Sequence, residues 1–419
     1  MRRVVRHRVV AAAILCGLAV ATVQPSAFDL SRFDRSASSM MLKQIRRDLK
    51  TTYYDPSFHG IDIDAAFSRA EGRVREAQSL SEAMSIIADV LGSLHDSHTV
   101  FYPPERITRV RYGWRAAIVG DTPYIVGVTA GSDAEAEGLA VGDRLLQWNG
   151  TAPDRSNLQH LTYVYRFVAP RVAHHFVVEE PDRTLRQIDV SASLSMRPPA
   201  QEAGALIEDL AEAFSPREPD RDFRVGDVLV WQLHAFVDGA AIERVMKKAA
   251  AARALVLDLR GNGGGSIHAM QDLISHLFTA DVPIAVVRTR GGEDRMTAKG
   301  RRDAFSGPIA VLVDSGTASA SEMAARVIQL ERRGTVLGDR TAGAVMTSRV
   351  ISHTIGIGSI SFYAESITIG DVRMRDGAPL EGRGVTPDLA VLPTPHDLAS
   401  GLDPALARAI EVLRIPALP

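Results

Sequence analysis

Ser319 stands where a serine can become a nucleophile. It follows an apolar run, Ile309-Ala310-Val311-Leu312-Val313, and a short turn, Asp314-Ser315-Gly316-Thr317-Ala318, and precedes a helical stretch that reaches about Arg332. A serine at a strand-to-helix turn lies against the helix N-terminus, where unpaired backbone N–H groups and the helix dipole favour negative charge. That setting suits a hydroxyl whose attack on a carbonyl creates an oxyanion. The same position also suits a serine that only caps the helix. Local pattern leaves both readings open.

A second segment with chemical potential is Arg260-Gly261-Asn262-Gly263-Gly264-Gly265, directly after the buried-strand run Leu255-Val256-Leu257-Asp258-Leu259. Consecutive glycines let backbone approach a ligand closely. The loop lacks the Gly-Lys-Ser/Thr end of a phosphate loop and the G-x-G-x-x-G spacing of a dinucleotide site. An oxyanion-binding loop fits it better, and a plain turn is the alternative.

These loops need a scaffold. From about Ser38 to Leu94 the pattern is helical: Met41, Ile45 and Leu49 share one face, and Ser79 with Glu82 offers a capping box before Ala83, Ile86, Ile87, Val90 and Leu91. From about Tyr112 to Leu194 short β-type runs take over, among them Tyr124–Val128 and Arg144–Trp148, with a turn signal at Asn149-Gly150. From about Pro198 strands and helices alternate: Asp227–Leu233, Ala241–Ala252, Leu255–Leu259, Ile267–Phe278, Pro283–Val287 and Ile309–Val313. Such alternation predicts an α/β fold with a parallel sheet and crossover helices.

Two resemblances follow from these segments. Ala130-Gly131-Ser132-Asp133-Ala134-Glu135-Ala136-Glu137-Gly138-Leu139 followed by Val141-Gly142-Asp143 resembles a bacterial PDZ domain, with Asp133 where proline is usual. Leu257-Asp258-Leu259-Arg260-Gly261-Asn262-Gly263-Gly264-Gly265, Gly316-Thr317-Ala318-Ser319-Ala320-Ser321-Glu322 and Gly384-Val385-Thr386-Pro387-Asp388 occur in that order. They resemble the signature blocks of the carboxy-terminal-processing (tail-specific) and tricorn-core serine peptidase family. The resemblance implies a crotonase-like (ClpP/crotonase) spiral core, a helical N-terminal region and an inserted PDZ-like β-rich domain. Expected boundaries are a signal peptide over 1–27, the helical region over 28–110, the PDZ-like domain over 111–196, the protease core over 197–395 and a helical tail over 396–419.

By this resemblance Ser319 is the nucleophile, with Ser321 its nearest competitor. The tail-specific branch activates its serine with a lysine, and the matching position here is Ala344, flanked by the expected Thr341 and Gly343. The lysines are Lys43, Lys50, Lys247, Lys248 and Lys299, and none fits the motif. Arginine is no substitute, since it does not deprotonate in proteins. The tricorn-like branch instead carries a Ser-His pair and a glutamate before the Gly-Val-x-Pro-Asp block. Ser97-His98 and Glu381 match these. The resemblance thus implies His98 as general base, Glu381 and Ser97 as its orienters, and an oxyanion hole from the N–H groups of Ala320 and of Gly263 or Gly264. His95, His268 and His353 compete for the base, and Glu365 for the carboxylate.

The bulk properties limit the rest. The chain has 419 residues, is 46% hydrophobic and 23% charged, and carries a net charge of -2, which fits a multidomain soluble protein and gives no footprint for a nucleic-acid partner. Met1–Arg8 is rich in arginine and Val9–Val23 is uncharged, the layout of a secretory signal. A periplasmic or extracellular location is expected, with membrane association only if this segment is retained. The single cysteine, Cys16, lies inside it, so neither disulfides nor a thiolate zinc site are expected. No cluster of His, Asp and Glu has recognisable metal-ligand spacing, and no metal or other cofactor is expected. The expected partner is a polypeptide, its C-terminus held by the PDZ-like domain through strand addition; an oligomer is left open. The rival expectation is a catalytically inactive ligand- or peptide-binding protein on the same scaffold.

Overall fold

Met41, Ile45 and Leu49 are buried along one face of α1 (Arg32–Thr52), as their spacing requires. The computed structural model describes residues 31–104, 108–196, 219–355 and 361–414. The expected signal peptide and Cys16 lie outside the described residues. Helices α2 (Ile63–Glu76) and α3 (Leu80–Gly92) pack with α1 into an N-terminal layer. Ser79 caps α3 by accepting the Glu82 N–H, while the Glu82 carboxylate reaches one residue further back, to the Gln78 N–H at 2.8 Å.

The helical region also contains strands. β1 (Val100–Tyr102) follows the Ser97-His98 turn, and β2 (Thr108–Arg111) pairs antiparallel with β8 (Ser193–Met196) to form a two-stranded ribbon. That ribbon brackets a separate antiparallel sheet of five strands in the order of the chain: β3 (Trp114–Val119), β4 (Thr122–Val128), β5 (Arg144–Trp148), β6 (Ala173–Glu179) and β7 (Leu185–Ser191). Short α4 (Asp133–Ala136) and α5 (Leu158–Tyr163) accompany it. Its core is aromatic, with Trp114, Trp148 and Phe176 in edge-to-face or tilted contact.

The core of the chain is α/β. β10 (Val228–Gln232), β11 (Ala254–Asp258), β14 (Ile309–Val313), β15 (Thr335–Gly338) and β18 (Leu389–Ala390) pair in parallel, and β9 (Arg221–Val225) closes one edge antiparallel to β10. Every residue of β11 and β14 is buried, because helices cover both faces. Leu229, Trp231, Leu255, Leu257, Val311 and Val313 face α6 (Gly239–Ala249), α7 (Ile267–Ser275) and α8 (Ala320–Leu330). Val228, Val230, Ala254, Val256, Ala310 and Leu312 face α10 (Pro404–Arg414), which follows α9 (Pro395–Ser400). The C-terminal segment read as a tail is therefore a structural layer of the core. Ala405, Ala409, Ile410 and Leu413 are its buried stripe.

The strand expected at Pro283–Val287 exists as β12 (Val282–Thr289), but it leaves the parallel sheet. It pairs antiparallel with β13 (Gly292–Ala298) and with β17 (Ser361–Met374), which also pairs with β16 (Met346–Ile355) and β1. Apolar runs tell strand from helix and not which sheet a strand joins, so one predicted sheet becomes two. This second sheet reaches the Ser97-His98 turn: β17 pairs Ser366 with Val100, two residues beyond His98.

Candidate active site

β11 and β14 are parallel neighbours, so the loops after them emerge side by side, at the carboxyl end of the sheet where α/β proteins bind ligands. Asp314 stitches the two loops together: its Oδ1 accepts the Gly261 N–H at 2.8 Å and the Gly316 N–H at 2.9 Å. The Thr317 hydroxyl donates to the Leu259 carbonyl at 2.8 Å, and the Ala318 N–H to the Asn262 carbonyl at 2.9 Å. The glycine loop and the serine turn are one rigid unit.

Ser319 occupies φ 57°, ψ -122°, a conformation that costs a non-glycine residue about 1–3 kcal/mol and persists only when its surroundings impose it. Its N–H is held by the Ala344 carbonyl at 2.9 Å and by Glu322 Oε2 at 3.1 Å. The turn opens α8 at Ala320, in the manner of a strained strand-to-helix elbow. Ser319 is half-buried. The competitor Ser321 is fully buried, and its hydroxyl has no partner among the described residues.

Glu322 is a residue whose role the sequence did not reveal. It is fully buried, and its oxygens accept from Thr341 Oγ1 at 2.5 Å, Gly343 N at 2.8 Å and Ala344 N at 2.9 Å as well as from Ser319. Thr341 in turn accepts the Val385 N–H at 2.6 Å. One carboxylate thus joins the Ser319 turn to the 341–344 loop and, through Thr341, to the Gly384–Asp388 segment. Burial pushes its carboxyl up to about 7, while these donors favour the ionised form. The network also puts the Ala344 backbone against Ser319, so the position where lysine was sought does lie beside the serine.

Glu381 builds the other half. Its Oε2 accepts the Val345 N–H at 2.7 Å, one residue after the Ala344 that holds Ser319. The same carboxylate takes the Ser97 N–H and hydroxyl. Ser97 Oγ lies 2.7 Å from His98 Nδ1. Because the Ser97 hydroxyl proton points to Glu381, its oxygen is left to accept, which fixes the proton on Nδ1 and the lone pair on Nε2. Burial holds His98 below its ordinary pKa, so the ring is neutral at neutral pH. Burial also raises the Glu381 carboxyl, against the opposing pull of its hydrogen bonds from Ser97 and Val345.

Asp96, which directly precedes Ser97, sets this turn. Its Oδ1 accepts the N–H groups of His98 at 3.0 Å and Thr99 at 2.7 Å and the Thr368 hydroxyl at 2.7 Å; its Oδ2 accepts Tyr53 Oη at 2.9 Å. An aspartate bonding N–H groups two and three residues on is a common turn device, and the Asp-Ser-His-Thr string carried that signal.

The oxyanion loop needs one correction. The Gly264 N–H is committed to Asn262 Oδ1 at 2.8 Å, so it is not a free donor. Gly264 matters sterically instead: at φ 100°, a Cβ there would lie 2.7 Å from Ser319 Cβ. Gly263 has open space at its Cβ position. The competing side chains fall elsewhere. His95 and His268 are exposed, and His353 pairs with Glu365 at 2.9 Å.

The antiparallel five-stranded sheet touches this region directly. Ser315 Oγ donates to the Ile118 carbonyl at 2.6 Å, and Asp339 Oδ2 accepts Arg155 Nη2 at 2.8 Å and the Gly120 N–H at 2.9 Å.

The sequence model of peptidase family S41 matches residues 227–391. The chloroplastic C-terminal processing peptidase of Tetradesmus obliquus is 24% identical over 385 residues, covering 86% of this chain and 79% of that protein. The tail-specific protease of Haemophilus influenzae is 32% identical over 143 residues, 33% of this chain and 20% of that protein. Among solved structures, mature CPAF has a TM-score of 0.66 at 16% identity, covering 91% of this chain and 97% of that one. The tricorn protease has a TM-score of 0.51 at 15% identity over 90% of this chain and 36% of that one. Residues 227–391 thus match the peptidase family S41 model, and the chain is a serine-type peptidase.

Proposed function

We propose that the chain is an exported endopeptidase of the Ser-His-Glu type, with Ser319 as nucleophile, His98 as general base and Glu381 with Ser97 as orienting groups. The observation that carries this reading is the hydrogen-bond direction at Ser97. Its hydroxyl donates to Glu381 and accepts from His98 Nδ1, so Nε2 carries the lone pair a base requires. Nε2 takes the Ser319 proton as Oγ attacks the scissile carbonyl, then returns that proton to the leaving amine; water reverses the sequence on the acyl-enzyme. Glu381 stabilises the imidazolium through Ser97. The N–H groups of Gly263 and Ala320 receive the oxyanion, a term whose loss typically costs roughly 10²–10³ in rate.

The finer architecture belongs to the same proposal. The core is of the crotonase-like spiral type, and the 111–196 region is a PDZ-like domain that presents an extended chain, through its C-terminus, to the serine turn. Its contacts at Ser315 and Asp339 support that route. The N-terminal apolar segment directs export to the periplasm or the exterior.

Fluorophosphonate labelling of the purified protein tests the reading. Wild-type and Ser321→Ala chains are expected to label, and Ser319→Ala and His98→Ala chains are not. A folded wild-type protein that stays unlabelled would overturn the proposal in favour of an inactive binding protein on this scaffold.

A further inference from the structure

Asp48, His353 and Glu365 form a cluster that the peptidase chemistry does not use. His353 Nε2 lies 2.9 Å from Glu365 Oε1 and 3.2 Å from Asp48 Oδ2, and one ligand-type atom from each residue lies within 4.8 Å of the others. The three side chains come from the last turns of α1, from β16 and from β17. Glu365 is fully buried, and its Oε2 has no partner among the described residues. Among the described residues, no lysine or arginine forms an ion pair with Asp48 or Glu365.

We infer that Asp48, His353 and Glu365 are ligands of one divalent transition-metal ion of the Zn²⁺ class. Two carboxylates drawn together out of water are compensated either by a shared proton or by a cation. A single dication neutralises both, accepts the His353 Nε2 lone pair and, held by both Glu365 oxygens, gives the orphaned Oε2 a partner. Tetrahedral ligands with bonds of about 2.0–2.1 Å sit about 3.3–3.4 Å apart, close to the two separations from His353 Nε2. One imidazole with two carboxylates suits Zn²⁺ better than Mg²⁺, which prefers oxygen and octahedral geometry. Gln44 supplies outer support, donating to Asp48 Oδ2 at 2.7 Å, the kind of contact that orients a metal-bound carboxylate. The sequence could not display this set, because α1 meets β16 and β17 only in the folded chain.

The ion would fasten α1 to the β16–β17 hairpin. β17 also pairs with β1, just beyond His98, so the ion braces the layer that delivers His98 without touching the reacting groups.

The test uses the full chain, stripped with EDTA and dialysed, titrated with ZnCl₂ in a calorimeter and followed by thermal unfolding. One Zn²⁺ per chain, a rise in Tm that EDTA reverses, and no comparable response to MgCl₂ are expected. Co²⁺ in place of Zn²⁺ should give the visible bands of a tetrahedral site. Asp48→Asn and His353→Gln should each abolish high-affinity binding, and Gln44→Ala should weaken it roughly tenfold while the chain stays folded. Absence of binding to folded wild-type protein overturns the inference without needing any variant. So does Zn²⁺ affinity unchanged in both Asp48→Asn and His353→Gln, which would mark adventitious binding at surface histidines. Neither result bears on labelling at Ser319.

Discussion

Glu381 grips Ser97 at two points: Oε1 accepts the backbone N–H at 2.8 Å and Oε2 the hydroxyl at 2.9 Å. The two residues are 284 positions apart, and their contact joins the N-terminal layer to the loop that cradles Ser319. The bond sets a backbone position and a hydroxyl rotor at once, so changing one carboxylate alters both geometry and proton placement.

Glu381→Gln separates these effects from bulk. The amide keeps the size but presents N–H₂ where Ser97 and Val345 need an acceptor. Turnover is expected to fall roughly 10²–10⁴-fold, by analogy with the loss of an orienting carboxylate in a serine triad. Stability should drop by about 1–3 kcal/mol from the unsatisfied donors. Steady-state kinetics and chemical denaturation measure the two separately; unchanged turnover would remove Glu381 from the mechanism.

The pH profile follows from the burial of His98, which lowers its pKa from 6.5. A base must be neutral, so kcat/KM should rise with pH along an acid limb whose midpoint lies below 6.5 and be level by neutral pH. The stability effect has the same sign. Between the folded and unfolded pKa values the unfolded chain binds more protons, so stability is lost as pH falls below about 6.5. His98→Gln should remove that component from a denaturation series while leaving the other titrations in place.

The glycine loop makes a contrast of neighbours. Gly264→Ala puts a methyl group 2.7 Å from Ser319 Cβ at a residue with φ 100°, whereas Gly263→Ala meets open space. Gly264→Ala is expected to lower labelling at Ser319 by roughly 10²-fold or more, since a misplacement of about 1 Å can cost that much. Gly263→Ala should stay within a few-fold of wild type, because its N–H is kept. Equal behaviour of the two variants would show that close backing of Ser319 by the loop is unimportant.

Much of the α/β core is legible in the sequence, and the reasons are local. β11, β14 and α8 have continuous apolar strand runs and a serine at the turn, so sequence periodicity places them well. Ser97, His98 and Glu381, which hydrogen bonds join, each sit in a short recognisable string. What stayed hidden depends on contacts between distant segments. β12 and β14 have similar apolar character but enter different sheets. α10 looked like a tail because its partner face, Val228 to Leu312, lies far upstream. Glu322 read as part of a serine motif, and only the fold brings Thr341, Gly343 and Ala344 to its oxygens. Gly264 looked like a donor until the Asn262 side chain was seen to occupy its N–H.

Glu322→Gln tests whether the strain at Ser319 is imposed from below. The carboxylate accepts from four donors and is fully buried. An amide of the same shape must turn N–H₂ toward at least one backbone N–H, at a cost of about 1–3 kcal/mol. In a domain of this size, that lowers Tm by about 2–4 °C for each kcal/mol. Catalysis should suffer beyond the loss of fold. Without its anchor on the Ser319 N–H, the φ 57° conformation is no longer over-determined, and the hydroxyl leaves its attacking position. The fluorophosphonate rate, measured well below the new Tm, should therefore fall at least tenfold in chains that are still folded. A folded variant that labels at the wild-type rate would mean that the Ala344 carbonyl alone holds the turn.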